Sequence, residues 1–281
     1  MNNEFIPAEE LRISPFDHGF LYGAGFFETF RTYDGTILLF KEHMDRLNEA
    51  LAEYRIEMPY TEDEILFAVR KLDELSGGED GYFRLNVSAG VHDIGLAPSS
   101  YHKPNVILFR KVLPPSIRGE EKDAVWLETS RNKPESVIRH KSHNYLNNVR
   151  GRLELTSLKK LEGFFVTDTG DVAEGITSNI FWVKDKVLFT PHIDTGILPG
   201  TTRAFVMSLA QSMGMGLKEG FFKKVEAENA DELFVTNAVQ ELVPIKHLED
   251  KKFPGASGVY YKKLHNLYVE AIIAMKEGNS K

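Results

Sequence analysis

The chain has 281 residues, 42% hydrophobic and 27% charged, with a formal net charge of −7 and no cysteine. That is the balance of an ordinary soluble globular protein, long for a single hydrophobic core and sufficient for two domains. The acidic surplus argues against a nucleic-acid partner, and the missing cysteines exclude disulfides, thiolate nucleophiles and zinc–thiolate sites.

Residues 1–40 read as strands. Leu11-Arg12-Ile13 alternates, and the run from Phe16 to Arg31 mixes glycines with strand-favouring aromatics. Tyr33-Asp34-Gly35 is a hairpin signal, with Thr36–Phe40 as the return strand. A helix is expected over 41–55, with Met44, Leu47, Leu51 and Tyr54 inward and Arg46 off that stripe. Thr61-Glu62-Asp63-Glu64 is a capping box opening a second helix, with Ile65, Leu66, Val69, Leu72 and Leu75 inward and Gly77-Gly78 at its end. Tyr82–Ala89 and Asn105–Arg110 read as core strands. The polar, proline-bearing stretch that follows reads as a linker, giving domains over 1–115 and 123–281 joined by 116–122.

The second half opens with a strand at Ala124–Thr129. Then comes the basic stretch Arg139-His140-Lys141-Ser142-His143, leading to a helix near 143–160 with Leu146, Val149, Leu153 and Leu158 inward. Residues 163–190 read as a β-meander, turning at Asp168-Thr169-Gly170-Asp171 and Lys184-Asp185-Lys186. Leu198-Pro199-Gly200-Thr201-Thr202-Arg203 enters an apolar-faced helix containing Phe205, Leu209 and Met213. A strand at Glu232–Thr236 runs into Asn237-Ala238, and an amphipathic helix closes the chain near 258–276. The pattern is mixed α and β in two lobes. Residues 1–14 lack the basic and apolar regions of a signal peptide, and no apolar run approaches the roughly 20 residues that span a bilayer, so a cytoplasmic protein without membrane contact is expected.

Lys141 stands among Arg139, His140 and His143, and neighbouring positive charge disfavours an ammonium and makes the amine a better nucleophile. The same residues also read as a solvated basic turn. Three features suit an anion such as phosphate: the helix start at Gly200-Thr201-Thr202, the turn at Thr236-Asn237, and the Arg46 guanidinium. Each has a plain alternative, namely an N-cap, a turn and a surface ion pair. Glu174 sits in the otherwise uncharged run Val172–Asn179, so it either faces solvent or has a partner such as a protonated ring nitrogen. The nine histidines are scattered without an H-E-x-x-H, and no EF-hand loop occurs, so no metal site is expected.

A lysine ahead of a helix, Ala173-Glu174-Gly175 with Ser178-Asn179-Ile180-Phe181, Leu198-Pro199-Gly200 with Thr202-Arg203, and the Glu241-Leu242-Val243-Pro244 turn resemble together the class IV (fold type IV) pyridoxal-phosphate aminotransferase family. The likeness covers nearly the whole chain. It implies a two-domain α/β (α+β mixed) fold with pyridoxal 5′-phosphate in the interdomain cleft, and a homodimer with Tyr22 reaching the neighbouring site. It implies that Lys141 forms a Schiff base with the cofactor aldehyde and that Glu174, beside Ser178 and Asn179, pairs with the ring nitrogen. Arg46, Thr201, Thr202, Asn237 and Ala238 would hold the phosphate, Ala238 through its backbone alone. Phe27, Arg84 and Arg139 are candidates to face a small anionic substrate, Arg84 reading equally well as an arginine capping a sheet edge, and Thr29 is a candidate proton relay that also reads as an inward-facing strand threonine. The Ser14–Gly23, Lys141–Asn148 and Thr236–Val239 runs look most like bacterial aminodeoxychorismate lyases, which make 4-aminobenzoate for folate. The alternatives are an aminotransferase for D-amino or branched-chain amino acids and a non-catalytic pyridoxal-phosphate-binding protein.

Overall fold

The computed structural model describes residues 1–96, 100–113, 118–157 and 159–279. The chain divides into two compact units, Met1–Pro114 with His140–Asn144, and Pro115–Arg139 with Tyr145–Lys281. The Lys141 segment, expected with the C-terminal domain, belongs to the first unit. Residues 116 and 117 of the expected linker lie outside the described residues, and Lys122, its last residue, opens a strand.

The first unit contains α1 (His18–Tyr22), β1 (Gly25–Arg31), α2 (Phe40–Glu53), α3 (Glu62–Leu75), β2 (Gly81–Ser88) and β3 (Asn105–Val112). The strands form one antiparallel sheet in the order β1-β2-β3. Alternation along β2 buries Phe83, Leu85 and Val87 against Phe26, Phe30, Met44, Leu47, Leu51, Ile65 and Val69. The Thr61 capping box forms in full: Thr61 N donates to Glu64 Oε2 at 2.8 Å and Glu64 N to Thr61 Oγ1 at 3.3 Å. Leu75, expected inward, is exposed.

The first forty residues carry far less strand than their aromatics suggested. Asp17 Oδ1 accepts from Gly19 N at 2.7 Å and starts the short helix α1, which Gly23 ends at a φ of 69°. The Asp34-Gly35 turn forms, but Tyr33 and Thr36 make only an isolated bridge, and Leu39 at φ 60° turns the chain directly into α2. No return strand follows.

The second unit contains β4 (Lys122–Trp126), α4 (Leu146–Leu153), β5 (Leu161–Val166), β6 (Val172–Gly175), β7 (Asn179–Lys184), β8 (Val187–Pro191), α5 (Thr201–Ser212), β9 (Gly216–Gly220), α6 (Lys224–Glu228), β10 (Glu232–Asn237), β11 (Glu241–Leu248), β12 (Lys251–Lys252) and α7 (Val259–Asn279). Its mixed sheet runs β6-β5-β4-β11-β10-β7-β8-β9, with β12 on β11. Strands β7 and β10 are buried on both faces, so they read as continuous apolar runs. Phe181 stacks on Phe234 on one face, while Trp182 stacks on Phe189 and meets Phe222 edge-on. The turns expected at 168–171 and 184–186 close the hairpins β5–β6 and β7–β8, but among the described residues β6 pairs only with β5 and β7 lies between β10 and β8, so the stretch is two hairpins and not the meander expected.

The helix α4 reverses its expected orientation. Leu146, Val149 and Leu153 are exposed, while Asn148 and Gly151 are buried; Leu158 lies outside the described residues. The cause is close packing. A Cβ on Gly151 would stand 2.6 Å from Phe165 Cζ and 2.9 Å from Leu127 Cδ1, so only the glycine face fits there. Asn148 Nδ2 fixes the approach by donating to Ile176 O at 2.6 Å.

Candidate active site

In the first unit, Lys141–His143 adds an edge to the sheet. Phe27 N donates to Lys141 O at 2.9 Å, Phe26 bridges Ser142, and His143 N donates to Gly25 O at 2.8 Å. Opposed residues share a face, so Lys141 and His143 lie with Phe27 and Thr29 of β1 and with Arg84 and Asn86 of β2. The Lys141 Nζ stands 4.7 Å from the Phe27 ring centre and the Arg84 Cζ 3.5 Å from it. Arg84 Nε also donates to Asn86 Oδ1 at 2.9 Å. His140 falls on the opposite face, where its Nε2 meets Glu53 Oε2 at 2.7 Å and its ring lies edge-on to Phe26. It therefore does not crowd Lys141 as the sequence suggested.

Glu28, whose charge stands out among the aromatics of β1, is 1% exposed on that second face. Arg46 grips its carboxylate with Nε at 2.8 Å and Nη2 at 2.7 Å, and His43 Nδ1 adds a third contact at 2.7 Å. Burial alone would raise this carboxyl's pKa. The Arg46 guanidinium and the His43 ring outweigh it and hold the pKa at about 2. Arg46 is thus a fixed cation rather than a loose surface arginine. Tyr22 Oη accepts from Gly95 N at 2.6 Å, which ties it to its own unit's 91–96 loop.

In the second unit, Glu174 is 4% exposed and each of its oxygens has named donors. Arg131 Nε and Nη2 both reach Oε1 at 2.8 Å, while Leu198 N at 3.0 Å and Asn179 Nδ2 at 3.4 Å reach Oε2. Arg131 is fixed in turn by Asn147 Oδ1 at 2.7 Å. Asn179 Nδ2 donates to Leu198 O at 2.9 Å, and its Oδ1 lies where a Cβ on Gly200 would come within 2.1 Å. Gly200 is the N-cap of α5 and brings no side-chain cap, so the first-turn amides and the helix dipole favour an anion.

Thr236 pairs with Asn179 in the β10–β7 register, is 1% exposed, and its hydroxyl has no hydrogen-bond partner among the described residues. An uncapped helix start beside an unpaired buried hydroxyl fits a phosphate. Asn237 Oδ1 is engaged in its own turn, accepting from Val239 N at 3.0 Å and Gln240 N at 2.7 Å, and Ala238 lies within that turn. Thr201, Thr202 and Ser178 are buried, and the Ser178 hydroxyl also has no hydrogen-bond partner among the described residues.

Arg139 belongs to the second unit. It is 7% exposed and donates to the backbone carbonyls of Gly196 and Asn132 within the second unit. Burial, with Arg131 adding repulsion, lowers its pKa to about 10. Glu28, His43, Arg131 and Asn147 escaped the sequence reading. Two of them left a signal: a lone charge inside an aromatic strand, and a histidine three positions before Arg46 on one helix face.

The chain is 40% identical to an aminodeoxychorismate lyase of Bacillus subtilis (strain 168), covering 97% of this chain and 94% of that one. It is 36% identical to a putative branched-chain-amino-acid aminotransferase of Methanocaldococcus jannaschii, over 89% and 88% of the two chains. The crystal structure of the Escherichia coli branched-chain amino acid aminotransferase superposes with a TM-score of 0.87 at 26% identity, over 96% of this chain and 92% of that chain. The sequence model of the amino-transferase class IV family matches residues 25–248, and the chain belongs to that family.

Proposed function

We propose that the protein is a pyridoxal-phosphate-dependent lyase that converts 4-amino-4-deoxychorismate to 4-aminobenzoate and pyruvate. The observation that carries this reading is the 40% identity, from end to end, with the Bacillus subtilis aminodeoxychorismate lyase. The donor set supports the cofactor. Lys141 would supply the amine for its aldehyde and Glu174 the carboxylate for its ring nitrogen, while Arg46, the α5 start and Thr236 would each offer donors for its phosphate. When bound, the cofactor supplies an electron sink.

The chain's own residues do the rest. Lys141 Nζ takes the proton from the amine-bearing carbon, the bond to the enolpyruvyl oxygen breaks, and the ring becomes aromatic. The departing enol takes up a proton and leaves as pyruvate, with Thr29, on the Lys141 face, as the relay. Glu174 would hold a proton on the ring nitrogen. Arg84 meets a substrate carboxylate.

Further parts of this reading are a homodimer and a cytoplasmic location. A second copy would cover the exposed apolar residues Phe16, Phe20, Val91, Ile94 and Leu96. The lack of cysteine suits a reducing compartment. Among the described residues no helix is long and apolar enough to cross a membrane.

A second reading, a class IV aminotransferase, draws on the 36% identity to the putative branched-chain enzyme. Supplying aminodeoxychorismate and measuring 4-aminobenzoate separates the two. Formation of 4-aminobenzoate and pyruvate in equal amounts supports the lyase. No product, together with brisk amino transfer from an amino acid to 2-oxoglutarate, overturns it.

A further inference from the structure

His143 is a built position that the proposed chemistry does not use. It lies two residues from Lys141 in the extended edge segment, so both side chains share one face. Its ring occupies the space over Gly25, where a Cβ would come within 2.4 Å of Nδ1 and Cε1. The glycine is what admits the imidazole. The ring centre lies 6.3 Å from that of Phe27, the same ring over which Arg84 and Lys141 sit. The Nε2 is buried and makes no hydrogen bond among the described residues. A buried nitrogen of this kind is costly unless something pairs with it. Burial, and then the Arg84 charge, lower the imidazole's pKa to about 4, so the ring is neutral at physiological pH and can donate without carrying a charge of its own.

We infer that His143 is a substrate-binding residue whose Nε2–H, together with the Arg84 guanidinium, receives a carboxylate of the substrate beside Lys141. Arg84 supplies the charge and His143 a directed donor, and Phe27 forms the floor between them. This rests on the reading that the Lys141 face is the active site of a pyridoxal-phosphate enzyme, but not on whether that enzyme is a lyase or an aminotransferase. In either case an acidic substrate presents a carboxylate.

The test uses the cofactor-loaded enzyme and follows the shift of cofactor absorption as 4-aminobenzoate, 4-aminobenzamide and 2-oxoglutarate are titrated in. His143→Leu should weaken the acids about 10-fold or more, the scale of a lost hydrogen bond to a charged group, and leave the neutral amide unchanged. His143→Gln, which keeps a donor, should recover part of the loss. Gly25→Ala displaces the ring and should reproduce the loss in the wild-type background but add nothing on top of His143→Leu.

Wild-type affinity for the acids in His143→Leu overturns the subsite, as does equal weakening of acid and amide. A wild type that binds no carboxylate also overturns it. If the wild type makes no 4-aminobenzoate from aminodeoxychorismate and His143→Leu still loses acid affinity, the lyase reading falls and the subsite stands. If 4-aminobenzoate is made and His143→Leu binds acids normally, the reverse holds.

Discussion

Replacing Glu28 by glutamine keeps the side-chain shape and removes the charge that Arg46 and His43 share. The carboxylate is 1% exposed and takes three donors at 2.7–2.8 Å. The Arg46 guanidinium and the His43 ring hold its pKa at about 2 against an ordinary 4.5, worth about 3 kcal/mol. Removing one partner of a buried pair costs a similar ~3–5 kcal/mol. The glutamine amide group would also face donors where the carboxylate offered only acceptors. Because the folded-state pKa is depressed, this stability is present in full above about pH 4.5 and is lost as pH falls through about 2.

Glu28→Gln should therefore be less stable by about 3 kcal/mol at neutral pH and should lose part of the wild type's acid-denaturation limb between pH 4.5 and 2. At ~2–4 °C per kcal/mol for chains of this size, melting should drop by roughly 6–12 °C. Arg46, freed from its fork, should also bind phosphate less well. Calorimetry at pH 7 and pH 3 reads the first effect, and titration with pyridoxal phosphate against pyridoxal reads the second. A variant that melts like the wild type at both pH values would refute the reasoning, because the carboxylate would then carry no net interaction in the folded state.

Thr236→Val removes a buried hydroxyl that has no hydrogen-bond partner among the described residues. The apoprotein should be as stable or slightly more so, while pyridoxal phosphate should bind about 10-fold more weakly and pyridoxal unchanged, by absorption titration. Arg131→Met leaves the Glu174 carboxylate buried without its cation. Urea unfolding should show a loss of about 3 kcal/mol or more, and a wild-type midpoint would contradict the pairing. Lys141→Ala should abolish both turnover and the near-visible absorption of the reconstituted protein. Retention of that absorption would assign the amine to another lysine.

Local rules made much of the fold legible. The Thr61–Glu64 box, the Met44–Leu47–Leu51 stripe and the two hairpin turns each rest on interactions within a few residues. Where distant partners decide, the sequence misled. The leucines of α4 face out because Gly151 must pass Phe165 and Leu127, which no periodicity reveals. The aromatics of residues 16–22 suit a strand, but a single Asx cap at Asp17 coils them into a helix. For the candidate site, Lys141, Arg46 and Glu174 were visible as oddities. The pairings that aim two of them were not: Glu28 stood out as a lone charge in its strand, but its partner lies 18 positions away, and that of Arg131 lies 43 away.

Those partners bear on what the buried charges are for. A buried ion pair rarely repays its desolvation, and well-packed apolar residues are often as stable or better. Glu28–Arg46 and Glu174–Arg131 are therefore poor choices if stability alone were at stake. Each instead fixes a charge in orientation before any ligand arrives. Arg46 is held by two of its nitrogens, so its guanidinium plane is set. Glu174 is held by a guanidinium, a backbone amide and a side-chain amide, so its carboxylate plane is set as well. Fixed charges need no reorganisation when charge develops beside them, which is where electrostatic catalysis gains most. Each unit holds one such buried charge with an oppositely charged brace behind it. Lys141, the proposed proton-moving group, is placed differently, with its Nζ over the Phe27 ring face.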